Sequence, residues 1–168
     1  YLVDDSSNSS TLYGYDRTSG NFTTLQGGLT AKTGTPYPTK EDLRIMYTAS
    51  LSNGAEHSDL VFVTSFTQYR KLLTLLDDAQ RFNSTNPTAG FWGNFTFDGI
   101  PIYPDASCDV GYIYQLDLKH TFLSVQVPPM VEELAKTGDF RQFQVKTYLA
   151  LVSTAPNHNY KMTGFNTS

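Results

Sequence analysis

At the centre of the chain stands the run Asp59-Leu60-Val61-Phe62-Val63-Thr64, which decides the fold class. The run is short, rich in β-branched residues and almost continuously apolar, which is typical of a strand buried on both faces of a sheet. Ser65 follows as a candidate N-cap, and residues 66–76 carry large apolar side chains at helical spacing. The sequence therefore predicts a buried strand followed directly by an amphipathic helix.

Towards the N-terminus, residues 39–55 predict a second helix. Thr39 and Asp42 resemble a capping box at its start, and Asn53-Gly54 is a typical stop signal. The apolar face of this helix consists of Leu43, Met46, Tyr47 and Leu51. Residues 1–38 are rich in Ser, Thr, Asn and Gly, and two interpretations stay open for them: short edge strands around residues 12–15, or a partly ordered arm.

Towards the C-terminus, the chain becomes rich in strand signals. Asp98-Gly99 predicts a tight hairpin turn between Phe97 and Ile100. Further strands are predicted at residues 112–116, 122–127, 143–152 and 161–165, with Pro128-Pro129 expected to end the second of them. In residues 143–152 the side chains of Phe143, Val145, Thr147, Leu149 and Leu151 share one face. The fold class is therefore α+β, a mixed and mainly antiparallel sheet with flanking helices.

Composition limits the classes of protein that fit. A chain of 168 residues fits one domain with a real core, and 14% aromatic residues argue against disorder. No apolar run reaches the roughly 20 residues that span a bilayer. The net charge of −4 argues against binding nucleic acid by charge alone. The single cysteine, Cys108, excludes an internal disulfide and a multi-cysteine zinc site.

The usual catalytic and cofactor motifs are missing. The sequence has no phosphate-binding glycine loop, no dinucleotide fingerprint and no Gly-x-Ser-x-Gly elbow. His57, His120 and His158 are scattered, with no partner at the spacing of two metal ligands on one helix, although assembly from distant segments stays open. Cys108 fits a small buried apolar residue better than a nucleophile. We therefore expect no enzyme activity, no cofactor and no metal.

Aromatic residues are dense between positions 91 and 114. Stacking on bases or sugars would need more Lys and Arg nearby, so core and subunit contacts explain these aromatics better. Five Asn-x-Ser/Thr sequons begin at Asn8, Asn21, Asn83, Asn94 and Asn166, and we interpret them as composition rather than glycosylation.

The order of segments from residue 39 to residue 165 resembles the C-terminal part of tailed-virus major capsid proteins of the Hong Kong 97-like fold, which encapsulin shell proteins share. The helix from Lys40, the strand at 59–64 and the Leu-rich helix ending at 82 come first. They are followed by Gly99-Ile100-Pro101-Ile102, similar to the family's Gly-hydrophobic-Pro-Val segment, by the Tyr-rich strand from Gly111, and by Asp139-Phe140 ahead of a long strand. Met162–Phe165 resembles the closing strand.

The resemblance implies a division into two parts. Residues 39–168 correspond to an axial-domain-like α+β domain, and residues 1–38 to an N-terminal arm or a remnant of the peripheral domain. The family's long spine helix and extended loop should precede Lys40, where only about forty residues stand. The chain begins at Tyr1 without Met, so we expect a fragment or a processed chain.

The resemblance also implies a function and a set of partners. It implies a structural shell protein that assembles with itself around five- and six-fold axes, in the virion, after assembly in the host cytoplasm. Packaged nucleic acid or cargo protein would be only indirect partners, with no membrane involved. Two alternatives stay open: an encapsulin-like compartment that encloses a cargo enzyme, and an unrelated α+β enzyme or ligand-binding domain. Suspected interface or hinge residues are Phe91, Trp92, Gly99, Pro101, Tyr103 and Tyr112.

Overall fold

A six-stranded mixed sheet forms the body of the molecule. The computed structural model describes residues 11–12, 14–17, 23–80, 96–135, 138–139 and 141–167. The strands of this sheet are β3 (Gly28–Ala31), β4 (Leu60–Thr64), β5 (Thr96–Phe97), β6 (Ile100–Pro104), β7 (Ile113–Asp117) and β10 (Tyr160–Thr163). Their order across the sheet is β3-β10-β7-β4-β6-β5. Three of the five neighbouring pairs are antiparallel, while β3/β10 and β4/β6 are parallel.

The predicted central strand is β4, and it is buried as expected. It lies between β7 and β6, with Leu60, Val61, Phe62 and Thr64 all buried. Its parallel pairing with β6 requires a crossover, which includes helix α2 (Phe66–Gln80). The sequence pattern gave no sign of this parallel pair, because a single crossover leaves no repeating rhythm.

Helix α1 (Lys40–Ser52) begins at the predicted capping box. The Thr39 side chain accepts from the Asp42 N–H at 3.3 Å, and the Asp42 carboxylate accepts from the Thr39 N–H at 2.8 Å. Asp42 is buried and also pairs with the Lys32 ammonium at 2.5 Å. The helix ends at Asn53, as predicted. Thus one carboxylate both starts α1 and holds it to the end of β3.

One apolar core joins the helices to the sheet. α1 contributes Leu43 and Met46, α2 contributes Leu72, and the sheet supplies most of the rest. The buried members are Leu43, Met46, Ala55, Leu60, Phe62, Leu72, Phe97, Ile100, Ile102, Ile113, Met162 and Phe165.

A long hairpin of β8 (Thr121–Glu133) and β9 (Phe143–Ser153) stands apart from this sheet as a two-stranded sheet of its own. The expectation that Pro128-Pro129 ends β8 was wrong, because the strand continues to Glu133. The pairing register shifts between Val127 and Met130, so the two prolines lie at an irregularity of the strand pairing. Proline is tolerated there because its missing N–H breaks no regular hydrogen bond between the strands.

The N-terminal segment contributes short strands. β1 (Thr11–Leu12) and β2 (Tyr15–Asp16) pair with each other, and β3 joins the edge of the main sheet beside β10. The predicted division at residues 38 and 39 stays a prediction. Within the described part of the chain, no helix is long and apolar enough to cross a bilayer.

Candidate assembly surface and side-chain cluster

The β8–β9 hairpin presents two chemically different faces. Leu123 pairs with Leu151, Val125 with Leu149 and Val131 with Val145, so these side chains project to the same side, as the sequence alternation of β9 predicted. We call this side the apolar hairpin face. Its apolar members are Leu123, Val125, Val131, Phe143, Val145, Leu149 and Leu151, each 49–70% exposed. Thr147 lies on the same side, and Glu133, which pairs with Phe143, lies at its outer end.

The opposite side of the hairpin is mixed in character. Lys146 and Glu132 form an ion pair there and Ser124 faces Ala150, but Phe122, Met130 and Tyr148 are also about half exposed on that side. The apolar hairpin face, by contrast, gathers seven exposed large apolar side chains in one patch. Single exposed apolar residues are normal on a protein surface, whereas apolar patches of this kind mark interaction surfaces.

A compact polar cluster lies where the hairpin leaves the six-stranded sheet. Asp117 ends β7, His120 precedes β8, and His158 closes a short 3-10 turn (Pro156–His158) after β9. The Nδ1 atoms of His120 and His158 lie 2.8 and 2.7 Å from the same Asp117 oxygen, Oδ2. We call these three residues the junction cluster. They join the end of β7 to the residue that precedes β8 and to the short turn that follows β9.

The Asp117 carboxylate is fully buried, and each of its two oxygens has two hydrogen-bond partners. Its Oδ1 accepts from the backbone N–H groups of Lys119 and His120 at 3.0 and 3.3 Å. Burial alone would raise the pKa of Asp117, but the hydrogen bonds from His158 and His120 outweigh it and hold that pKa below its ordinary value. The carboxylate is therefore ionised at neutral pH.

A second ion pair lies beside the junction cluster. The Lys119 ammonium lies 2.6 Å from Glu56 and 3.8 Å from Asp59. The hydrogen bond between Lys119 and Glu56 lowers the pKa of Glu56 and raises the pKa of Lys119. Both groups keep their charge across the neutral range.

The suspected interface or hinge residues fall at two ends of the sheet. Gly99 lies in the β5–β6 turn with a φ of +87°, beside His57, and Pro101 follows on β6. Tyr103 is exposed near the far end of β6. Tyr112 stacks on Tyr114, with their ring centroids 6.1 Å apart. Phe91 and Trp92 lie outside the described residues, so the hinge assignment stays a prediction.

Sequence reasoning missed the junction cluster. His120 and Asp117 are three residues apart, but His158 is 41 residues from Asp117, and only strand pairing brings it near. The one available signal was the Asp-x-x-His spacing itself. His57, by contrast, stays apart from the cluster, and its Nδ1 lies 3.2 Å from the Tyr47 hydroxyl.

Cys108 is half-buried, not enclosed in the core as the sequence interpretation expected. Burial, reinforced by Asp109 and Asp105, raises the pKa of its thiol to about 11. A thiolate nucleophile needs the opposite shift, because only the deprotonated form attacks.

This raised pKa predicts slow alkylation of the native protein. With a pKa near 11, the thiolate fraction at pH 8 is roughly a thousandth, and it increases about tenfold for each pH unit up to the pKa. We therefore expect iodoacetamide labelling of Cys108 at pH 8 to be far slower than labelling of the unfolded chain, and to accelerate steeply with pH. Equal native and unfolded rates at pH 8 would contradict the assignment.

Comparisons with known proteins support the architecture. No family model and no curated protein matches the sequence. Among solved structures, a chain of the cyanophage A-1(L) capsid aligns with a TM-score of 0.68 at 17% identity, over 92% of this chain and 55% of that one. The holo-SrpI encapsulin complex from Synechococcus elongatus PCC 7942 gives a TM-score of 0.59 at 14% identity, over 83% and 54%. The capsid of an empty GTA particle gives 0.60 at 12% identity, over 84% and 51%.

These likenesses define the fold. The chain has the α+β architecture of the Hong Kong 97-like capsid fold, which confirms the predicted fold class and the resemblance. It spans about half the length of the capsid and encapsulin chains that it matches.

Proposed function

We propose that this chain is a structural shell protein, a major capsid protein or a part of one, that assembles with copies of itself to enclose a viral genome. The observation that carries this proposal is the match of 92% of the chain to a phage capsid subunit. Subunits of a shell meet in head-to-tail contacts that close into rings around five- and six-fold axes. Assembly in the host cytoplasm and a final location in the virion belong to the same proposal.

The apolar hairpin face supports this function. Its seven apolar side chains are 49–70% exposed in the single chain, and the carboxylate of Glu133 lies at its outer end. In an assembled particle, burial of this face would contribute roughly 25 cal/mol for each Å² of apolar area removed from water. The raised pKa of Cys108 speaks against a cysteine nucleophile, so we propose no enzymatic role.

Size-exclusion chromatography with light scattering, followed by negative-stain microscopy of the same peak, tests self-assembly. We expect rings or shells of five, six or more subunits. A single peak at the 18.7 kDa mass of one chain, at every concentration, would contradict self-assembly by this chain.

The encapsulin-like alternative rests on the alignment with the encapsulin complex, whose TM-score of 0.59 is close to the 0.60 of the empty GTA capsid. Particle contents separate the two functions. Nuclease-protected nucleic acid in purified particles favours a capsid, whereas a co-purifying protein identified by mass spectrometry favours a cargo compartment.

A charge on the apolar hairpin face should block assembly. Leu149→Glu puts a carboxylate among apolar neighbours that become dry in the particle, and burying an unpaired charge costs several kcal/mol. Ala150→Glu is the matched control, because it adds the same charge one residue away on the opposite face. We expect particles from Ala150→Glu and folded, unassembled chains from Leu149→Glu, as measured by light scattering and circular dichroism. Normal particles from both variants would show that the apolar hairpin face takes no part in assembly.

A further inference from the structure

The junction cluster has the composition of a metal site. Asp117, His120 and His158 each offer one ligand atom, and these three atoms lie within 4.8 Å of one another. Imidazole nitrogen and carboxylate oxygen are common ligands of Zn²⁺, and three protein ligands plus one water complete a tetrahedral shell. In the part of the chain that the structure describes, these residues form the one such group that combines histidine and carboxylate ligands.

Burial gives the cluster a closed side and an open side. The Asp117 side chain is fully buried, that of His158 is 11% exposed and that of His120 is 33% exposed. An ion can therefore enter past His120, and a water molecule can occupy a fourth position there. The remaining ligands are held inside the protein, where competition from bulk water is weak.

The surroundings hold the ligands in place. Two backbone N–H groups bind Oδ1 of Asp117, which turns Oδ2 towards both imidazoles. The Asp117 N–H donates to Asn159 Oδ1 at 2.9 Å. Outer contacts of this kind orient metal ligands and are part of the affinity of metal sites.

The local charge also favours a cation. Asp117, Glu56 and Asp59 contribute three carboxylates near the junction, against the single ammonium of Lys119. That ammonium is hydrogen-bonded to Glu56 rather than to Asp117. The three acidic groups and the one basic group sum to a net charge of −2.

We propose that Asp117, His120 and His158 bind one divalent transition-metal ion, Zn²⁺ foremost, at the junction between β7 and the β8–β9 hairpin. Without the ion, the Nδ1 atoms of both imidazoles lie within hydrogen-bond distance of Asp117 Oδ2. With the ion bound, the imidazole protons reside on Nε2, and the Nδ1 lone pairs and Oδ2 all bind the metal. The ion then connects three points that are far apart in the chain, and so fixes the base of the hairpin on the main sheet.

The experiment uses the purified chain after treatment with EDTA and dialysis. Metal content after incubation with ZnCl₂ is measured by mass spectrometry, and thermal unfolding is followed with and without ZnCl₂. We expect about one Zn²⁺ per chain and a Tm increase of about 5–10 °C at a hundredfold excess over the dissociation constant, reversed by EDTA. Co²⁺ in place of Zn²⁺ should give the visible absorption bands of a tetrahedral site.

His120→Ala is the first test variant, because His120 is the most exposed ligand. Circular dichroism checks that the variant is folded. His57→Ala is the matched control, a histidine outside the cluster. We expect His57→Ala to keep the bound Zn²⁺ and the Tm increase, and His120→Ala to lose both. Zinc content below about a tenth of an ion per chain, or equal binding by the two variants, would overturn the proposal and leave the cluster a hydrogen-bonded junction only.

Discussion

Gly164→Ala should be among the most destabilising single substitutions in this chain. Gly164 follows β10 with a φ of +85°, and an added Cβ would overlap the Lys32 carbonyl oxygen just after β3. The left-handed backbone alone costs an alanine about 1–2 kcal/mol. The overlap is with backbone, so β3 and β10 must separate to relieve it. We expect a total loss of at least about 3 kcal/mol in the free energy of unfolding, measured in urea.

Gly34→Ala isolates the backbone contribution. Gly34 has a φ of +80°, nearly that of Gly164, but an added Cβ there meets no atom within 4 Å. This variant should therefore lose only the 1–2 kcal/mol of backbone strain. If the two variants differed by less than about 0.5 kcal/mol, β3 would not pack beside Gly164 as described.

Phe62→Ala should have the other large effect. Phe62 stands at the middle of β4, with 0% of its side chain exposed, and belongs to the core cluster. Removing a buried phenylalanine side chain loses its transfer free energy and leaves a cavity, which together cost about 3–5 kcal/mol. Because β4 has sheet neighbours on both sides, the backbone cannot move in to fill the space. The measurement is again the midpoint and slope of urea unfolding.

Phe66→Ala is the matched control for this prediction. Phe66 lies four residues further on, at the start of α2, and 59% of it is exposed. Its replacement leaves no enclosed cavity and should change the free energy of unfolding by less than about 1 kcal/mol. Similar losses from both variants would show that β4 is not the buried centre of the sheet.

The two pairs of variants examine different levels of the structure. The Phe62 comparison examines a strand whose burial follows from its composition. The Gly164 comparison examines a contact between residues 132 positions apart, which only the pairing of β3 with β10 creates. Both concern the sheet that carries the β8–β9 hairpin and the junction cluster.

The sequence by itself determined the local elements. Four local features follow from residues that are close together in the sequence, and the structure contains each of them. They are the capping box at Thr39 and Asp42, the buried run in β4, the Asp98-Gly99 turn and the alternation along β9. Helix caps, tight turns and side-chain alternation are short-range effects, so a few adjacent residues specify them. The order of these elements was enough to indicate the shell-protein fold.

Only the tertiary structure decided how the elements meet. Three contacts join segments that are distant in the sequence. They are the parallel pairing of β4 with β6, the pairing of β3 with β10, and the contact between His158 and Asp117. β8 continues past Pro128-Pro129 because of its pairing with β9. The register of that pairing shifts at the prolines, so their missing N–H groups break no regular hydrogen bond between the strands. Such contacts depend on which surfaces remain to be buried once the local elements exist, and short sequence patterns do not encode that competition.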